Sequence, residues 1–127
     1  MRALTDEQLV VKGPTRIVAY AIAANGTMPA KDFLEQQNGK DAPTKTELAG
    51  LRHLFKLMAD QGKITNDEQF KKERDAIFGF KKYQARIAAF QEGDVWYLTH
   101  GFKKKKPKWP KAELDRADRI RDEHRKR

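Results

Sequence analysis

The 127-residue chain has no cysteine. That excludes disulfides and thiolate metal sites, and it suits a reducing compartment, so a cytoplasmic location is expected. Histidine is scarce as well. His53, His100 and His124 stand far apart and without metal-ligand spacing, so neither a metal nor another cofactor is expected. No stretch approaches the roughly 20 apolar residues of a membrane span, and the N-terminus lacks the apolar core of a signal peptide. A membrane is therefore not an expected partner. Acidic residues are thin in the C-terminal third: residues 81–127 hold 7 Asp and Glu against 15 Lys and Arg, whereas residues 1–80 hold 11 against 12. Nearly all of the formal net charge of +9 thus falls in the last third.

Where the charge concentrates, the sequence is most informative. Lys103, Lys104, Lys105, Lys106 and Lys108 put five cations within six residues, between a hydrophobic strand ending in His100 and Trp109-Pro110, which can open a helix. A turn of that composition suits a polyphosphate backbone, and RNA or DNA is the partner it points to. A solvated, soluble surface is the plainer reading of a charge run, and the convergence of cations on one turn argues against it.

The length fits one domain over residues 1–127, with an irregular segment expected at 1–15. Ile17 to Ala23 reads as a buried strand closed by Asn25-Gly26. Pro29 opens a helix to about Gln37, stopped by Asn38-Gly39. Thr44 and Glu47 have capping-box spacing. They are followed by Leu48, Leu51, Leu54, Phe55 and Met58 on one helical face, with Gly62 as the stop. Thr65 and Glu68 repeat the capping spacing and predict a short helix to Glu73. Residues 76–81, 84–90 and 95–100 then read as strands, the last two joined by the tight Glu92-Gly93-Asp94 connection. A charged helix follows Pro110, with Leu114, Ala117 and Ile120 as its apolar stripe. The expected fold class is α+β, with helices packed on one face of a small antiparallel sheet and a charged helix at the C-terminus.

Cutting RNA without a metal needs a base for the ribose 2′-hydroxyl, a cation for the charge on five-coordinate phosphorus, and an acid for the departing 5′-oxygen. Arg86 and Lys81 on neighbouring strands are the candidates for the phosphate. His100 and His124 are the candidates for proton transfer. Lys82, Lys103, Lys104, Lys105, Lys108 and Arg121 are the candidates for RNA docking. Trp109 could stack on a base or anchor the lysine loop, with anchoring slightly favoured. Trp96 and Phe102 are expected in the core.

Four segments together carry a resemblance. They are Ile77-Phe78-Gly79-Phe80-Lys81, Gln84-Ala85-Arg86-Ile87-Ala88-Ala89-Phe90, Val95 through Lys104, and Pro110-Lys111-Ala112-Glu113-Leu114-Asp115-Arg116-Ala117. Over about residues 70–120 the chain resembles the RelE/HigB toxin superfamily, and within it the phage-derived branch. The resemblance implies a RelE-like fold and the toxin of a type II toxin–antitoxin pair: a ribosome-dependent mRNA endonuclease that inhibits translation. It implies mRNA and the ribosome as partners, together with a cognate antitoxin, often a helix-turn-helix protein. By position, Arg86 matches the family's strand arginine, Lys103 and Lys104 match its paired lysines, and Lys81 stands where an arginine is common. No tyrosine follows Tyr97, so the C-terminal tyrosine of some relatives has no counterpart. The alternative from the residues alone is a non-catalytic basic module that binds RNA or DNA.

Overall fold

The computed structural model describes residues 4–36, 39–104, 106 and 108–127. Along the chain run β1 (Leu9–Lys12), β2 (Ile17–Tyr20), α1 (Pro29–Glu35), α2 (Lys45–Gln61), β3 (Phe70–Arg74), β4 (Ile77–Lys82), β5 (Ala85–Glu92), β6 (Val95–Lys103) and α3 (Lys111–Arg125). The strands form a six-stranded mixed sheet in the order β1-β2-β6-β5-β4-β3. β2 and β6 are parallel, and every other neighbouring pair is antiparallel.

The α+β class and the β4–β5–β6 meander agree with the sequence reading, which needs four corrections. The sheet is mixed and twice as wide as the meander, because β2 joins β6 after a crossover that contains both α1 and α2. Within the segment expected to be irregular, Leu9–Lys12 is a strand: its aliphatic run folds back on β2 through the Gly13-Pro14 turn. The helix predicted after Thr65 is replaced by a turn and β3. Asn66 Oδ1 accepts the Glu68 amide at 2.9 Å, the turn chemistry of a short polar side chain, and Phe70 pairs with Phe80 across the strands. Finally, the helices do not share a face. α1 and α2 cover one side of the sheet, with Leu51 and Phe55 of α2 over Phe80, Ile87 and Leu98, whereas α3 covers the other, over Ile77, Ala88, Phe90 and Tyr97.

Local chemistry explains the elements that position the basic end. α2 starts at a complete capping box, with Thr44 N donating to Glu47 Oε1 at 3.0 Å and Glu47 N donating to Thr44 Oγ1 at 3.1 Å. It stops at Gly62 in the left-handed region, φ +80°. β5 is central, and Ala85 through Phe90 are all buried, one face under α2 and the other under α3. The aromatic cluster of Phe55, Phe70, Phe78, Phe80 and Trp96 packs largely edge-on or tilted, which fixes the α2 side of the sheet. On the α3 side the indole of Trp109 lies on Gly79, where any Cβ would collide with it. Trp109 is buried and meets Phe102 edge to face at 4.8 Å, so it anchors the end of the lysine loop.

Candidate nucleic-acid interface

β4 ends, β5 begins and β6 ends at the same margin of the sheet. Lys81 and Arg86 are directly opposed cross-strand partners, and Arg86 is opposed to Phe102 on the other side. Phe80 and Ile87 form the neighbouring pair and point into the α1/α2 core, so alternation sends Lys81 and Arg86 to the α3 face. The strands therefore place the two expected phosphate ligands side by side.

Their availability differs. Arg86 is 1% exposed, and its Nη1 donates to the carbonyls of Tyr83 at 2.5 Å and Ala85 at 3.3 Å. Burial pushes its pKa down, while the carboxylates of Glu73 and Glu47 act in the opposite direction. An arginine stays charged under such a shift. Lys81 and Lys82 are half-exposed.

The β4–β5 turn is built around Tyr83, whose φ of +51° lies in the left-handed region. A non-glycine residue held there costs roughly 1–3 kcal/mol. Two clamps hold it. Arg86 grips the Tyr83 carbonyl from the α3 face, and Glu47 Oε2 accepts the Gln84 amide at 2.9 Å from the α2 side. The Lys104 amide adds a bond to the Gln84 carbonyl at 2.8 Å, joining the end of β6 to the turn. Tyr83 itself is 62% exposed, and the Lys82 ammonium lies 4.6 Å from its ring centroid. Tyr83 is not among the site residues expected from sequence. Its signal was an aromatic residue at a hairpin tip, where Asn or Gly is usual.

The lysine run divides by role. Lys103 turns inward, its Nζ 2.8 Å from Glu47 Oε1, with only 15% of its side chain exposed. Glu47 is buried, which acts to raise its pKa, but the hydrogen bonds from Lys103, Thr44 and Gln84 outweigh that and hold it below the ordinary value. Lys104 is half-exposed, and Lys106 and Lys108 are exposed. Lys105, also expected to dock RNA, lies outside the described residues. Beside Lys108, a shallow open depression of about 320 Å³ is lined by Lys71, Glu73, Trp109 and Leu114. Burial raises the pKa of half-buried Glu73, against the pull of Lys71, Arg86 and Lys81. Glu73 is a second site residue that the sequence does not single out, because the capping spacing of Thr65 and Glu68 predicts a helix there.

The histidines are held by the fold. His100 is fully buried at a bulge in β6 that turns both Thr99 and His100 toward α3. Its Nδ1 lies 3.2 Å from Thr99 Oγ1 and its Nε2 lies 3.1 Å from Glu113 Oε1. Burial, helped by Arg116 and Arg119, pushes its pKa down to about 3, although the Glu113 carboxylate opposes that shift. The neutral ring with its proton on Nε2 donates to Glu113, and the single proton of the Thr99 hydroxyl is shared between His100 Nδ1 and the Ala88 carbonyl, 3.3 Å away. His124 Nδ1 accepts the Ile22 amide at 2.9 Å, and its ring packs 4.3 Å from that of Tyr97. Burial lowers its pKa too, with Arg127 acting alongside and Glu92 against. Phe90, against which His124 packs, is four residues along β5 from Arg86, about 13 Å away. Arg121, with its guanidinium 5.7 Å from the Phe90 ring centroid, belongs to this distant end. The structure thus gathers Arg86, Lys81, Lys82, Lys103 and Lys104 at one margin, with Lys108 at the adjoining depression. It places His124 and Arg121 apart from them.

These features define a class: an α+β domain with a mixed sheet covered on both faces and a strongly basic margin suited to a polyanion. Residues 39–122 match the family model for phage derived protein Gp49-like (DUF891), and the chain belongs to that family. The match supports the phage-derived part of the resemblance and, coarsely, a toxin-family reading. No curated protein matches the chain. Among the described residues, no helix is long and apolar enough to cross a membrane.

Proposed function

We propose that this protein is the RelE-like toxin of a type II toxin–antitoxin pair and cuts mRNA on the ribosome. Membership of a phage-derived family associated with RelE-like toxins supports the reading. The observation that carries it is the cross-strand pairing of Lys81 with Arg86, whose charges both act on the carboxylate of Glu73 on β3. Lys81 and the depression's Lys71 take the phosphate. Arg86 holds the Tyr83 turn in shape and adds its fixed charge from beneath. Glu73, whose carboxylate is made more basic by burial, takes the proton of the 2′-hydroxyl as that oxygen bonds to phosphorus; the bond to the 5′-oxygen breaks, and water in the open depression returns a proton to that oxygen. This assigns to Glu73 the task expected of His100 and His124, because both imidazoles are neutral and engaged within the fold. Lys104, Lys106 and Lys108 dock on ribosomal RNA, and the cognate antitoxin, a helix-turn-helix protein, silences the toxin.

One observation favours a second reading. Nη1 of Arg86 already donates to two carbonyls, as in a residue that shapes a surface. The chain would then be a non-catalytic RNA-binding module with the same basic margin. Inducing the chain in growing cells and mapping new mRNA ends separates the two: in-frame cuts within translated messages support the nuclease, and arrest without new ends supports the binding module.

A further inference from the structure

We propose that Tyr83 is a stacking platform for an unpaired RNA base, held out from the β4–β5 turn by Arg86 and Glu47. The inference rests on the RNA-directed reading above and adds the residue that meets the base. Among the described residues, Leu9 and Tyr83 are the large apolar side chains left exposed, and only Tyr83 stands at the basic margin. Its backbone is in a conformation that disfavours every residue with a Cβ, and two buried charged side chains hold it there: Arg86 on its carbonyl and Glu47 on the next amide. Folding alone would be served better by glycine at this position. The other positive-φ non-glycine residue, Asp75 at +47°, is of a type that tolerates the region, so the β3–β4 turn is ordinary where the β4–β5 turn is not.

The surroundings suit a nucleotide. The Lys82 ammonium lies over the ring, and Lys81 and Lys104 flank the turn, so a base stacked on Tyr83 keeps its phosphates among cations. Every base has a π-face, so such a platform is tolerant of sequence and selective for unpaired strands, whose bases are free to leave the stack.

The test is fluorescence anisotropy at one fixed salt concentration. It compares a labelled single-stranded RNA of about ten nucleotides with the same RNA in duplex, using the intact protein and its Tyr83→Phe and Tyr83→Gly variants. Glycine suits the backbone, so Tyr83→Gly folds, and a thermal melt verifies it. The expected result is single-strand affinity kept by Tyr83→Phe and lowered about 5- to 150-fold by Tyr83→Gly, with duplex affinity little changed. Equal affinity of Tyr83→Gly and wild type for the single strand overturns the inference and leaves the RNA-directed reading standing. Failure of the wild type to bind any RNA overturns both.

Discussion

Glu47 and Lys103 meet 2.8 Å apart beneath the surface, one at the first turn of α2 and the other at the last residue of β6. The first lysine of the basic run therefore locks a helix to the sheet margin, and the same carboxylate holds the Gln84 amide of the β4–β5 turn. One buried acid organises the margin from which the other cations project.

Glu47→Gln leaves the largely covered Lys103 ammonium without its counter-charge. Loss of one partner of a buried pair costs about 3–5 kcal/mol, readable as a shift in the urea midpoint. The folded pKa of Glu47 is depressed, so its contribution is fully present above the ordinary value of 4.5 and is lost as pH falls through the lowered folded value. The wild type should lose stability across that acid window, and Glu47→Gln should lose less.

His100 predicts pH dependence in a higher window. Its folded pKa of about 3 lies below the ordinary 6.5, so the unfolded chain binds the extra proton first. Stability is full above pH 6.5 and falls between there and the folded value, by a few kcal/mol at most. His100→Gln, unable to gain that proton, should flatten the stability profile between pH 6.5 and 4. A variant that stays folded should also keep the RNA-directed activity, which measures of growth arrest on induction will show.

Tyr83→Gly should raise stability by about 1 kcal/mol, because it removes a Cβ from the left-handed region. Chemical denaturation of the purified variant checks this. A loss of stability would mean that the tyrosine ring is part of the folded structure rather than an exposed tip.

The exposed lysines should behave as phosphate contacts, unlike Lys103. Lys104→Glu with Lys108→Glu should weaken ribosome co-sedimentation and flatten its salt dependence, with an unchanged melting temperature. Lys103→Glu should instead destabilise the protein, since it sets a second carboxylate against buried Glu47. If all three behave alike in binding and in melting, the division of the run is wrong.

How far the sequence could be read depended on whether the signal was local. The capping box at Thr44 and Glu47, the stop at Gly62 and the meander from Ile77 to His100 rest on neighbours in the chain, and all are found. The parallel pairing of Ile17–Tyr20 with Val95–Leu98 is set by burial between segments about 78 residues apart, which no periodicity records. Thr65 and Glu68 matched a capping box, but no helical apolar stripe followed them, and Phe70 was drawn into the aromatic core by Phe80. At the site, the pairing of Lys81 with Arg86 follows from strand alternation and was legible. Burial was not: a histidine at a strand end looks the same in sequence whether it faces solvent or, like His100, is turned under a helix by a bulge. Glu47 was legible as a cap, but its bonds to Gln84 and Lys103 were not, because those partners are remote along the chain; Glu73 escaped for the same reason, and Tyr83 because its exposure is a property of the fold.

The most direct test of the central claim uses purified protein, translating ribosomes and two mRNAs that are identical except for one 2′-deoxynucleotide at the cut site found with the natural message. The all-ribose mRNA should be cleaved, leaving a 5′-hydroxyl and a cyclic or 3′-phosphate end, with no cut at the deoxy position, because the attacking hydroxyl is gone. Cleavage of the deoxy-substituted mRNA at the same position, or no cleavage of either message, would contradict that claim.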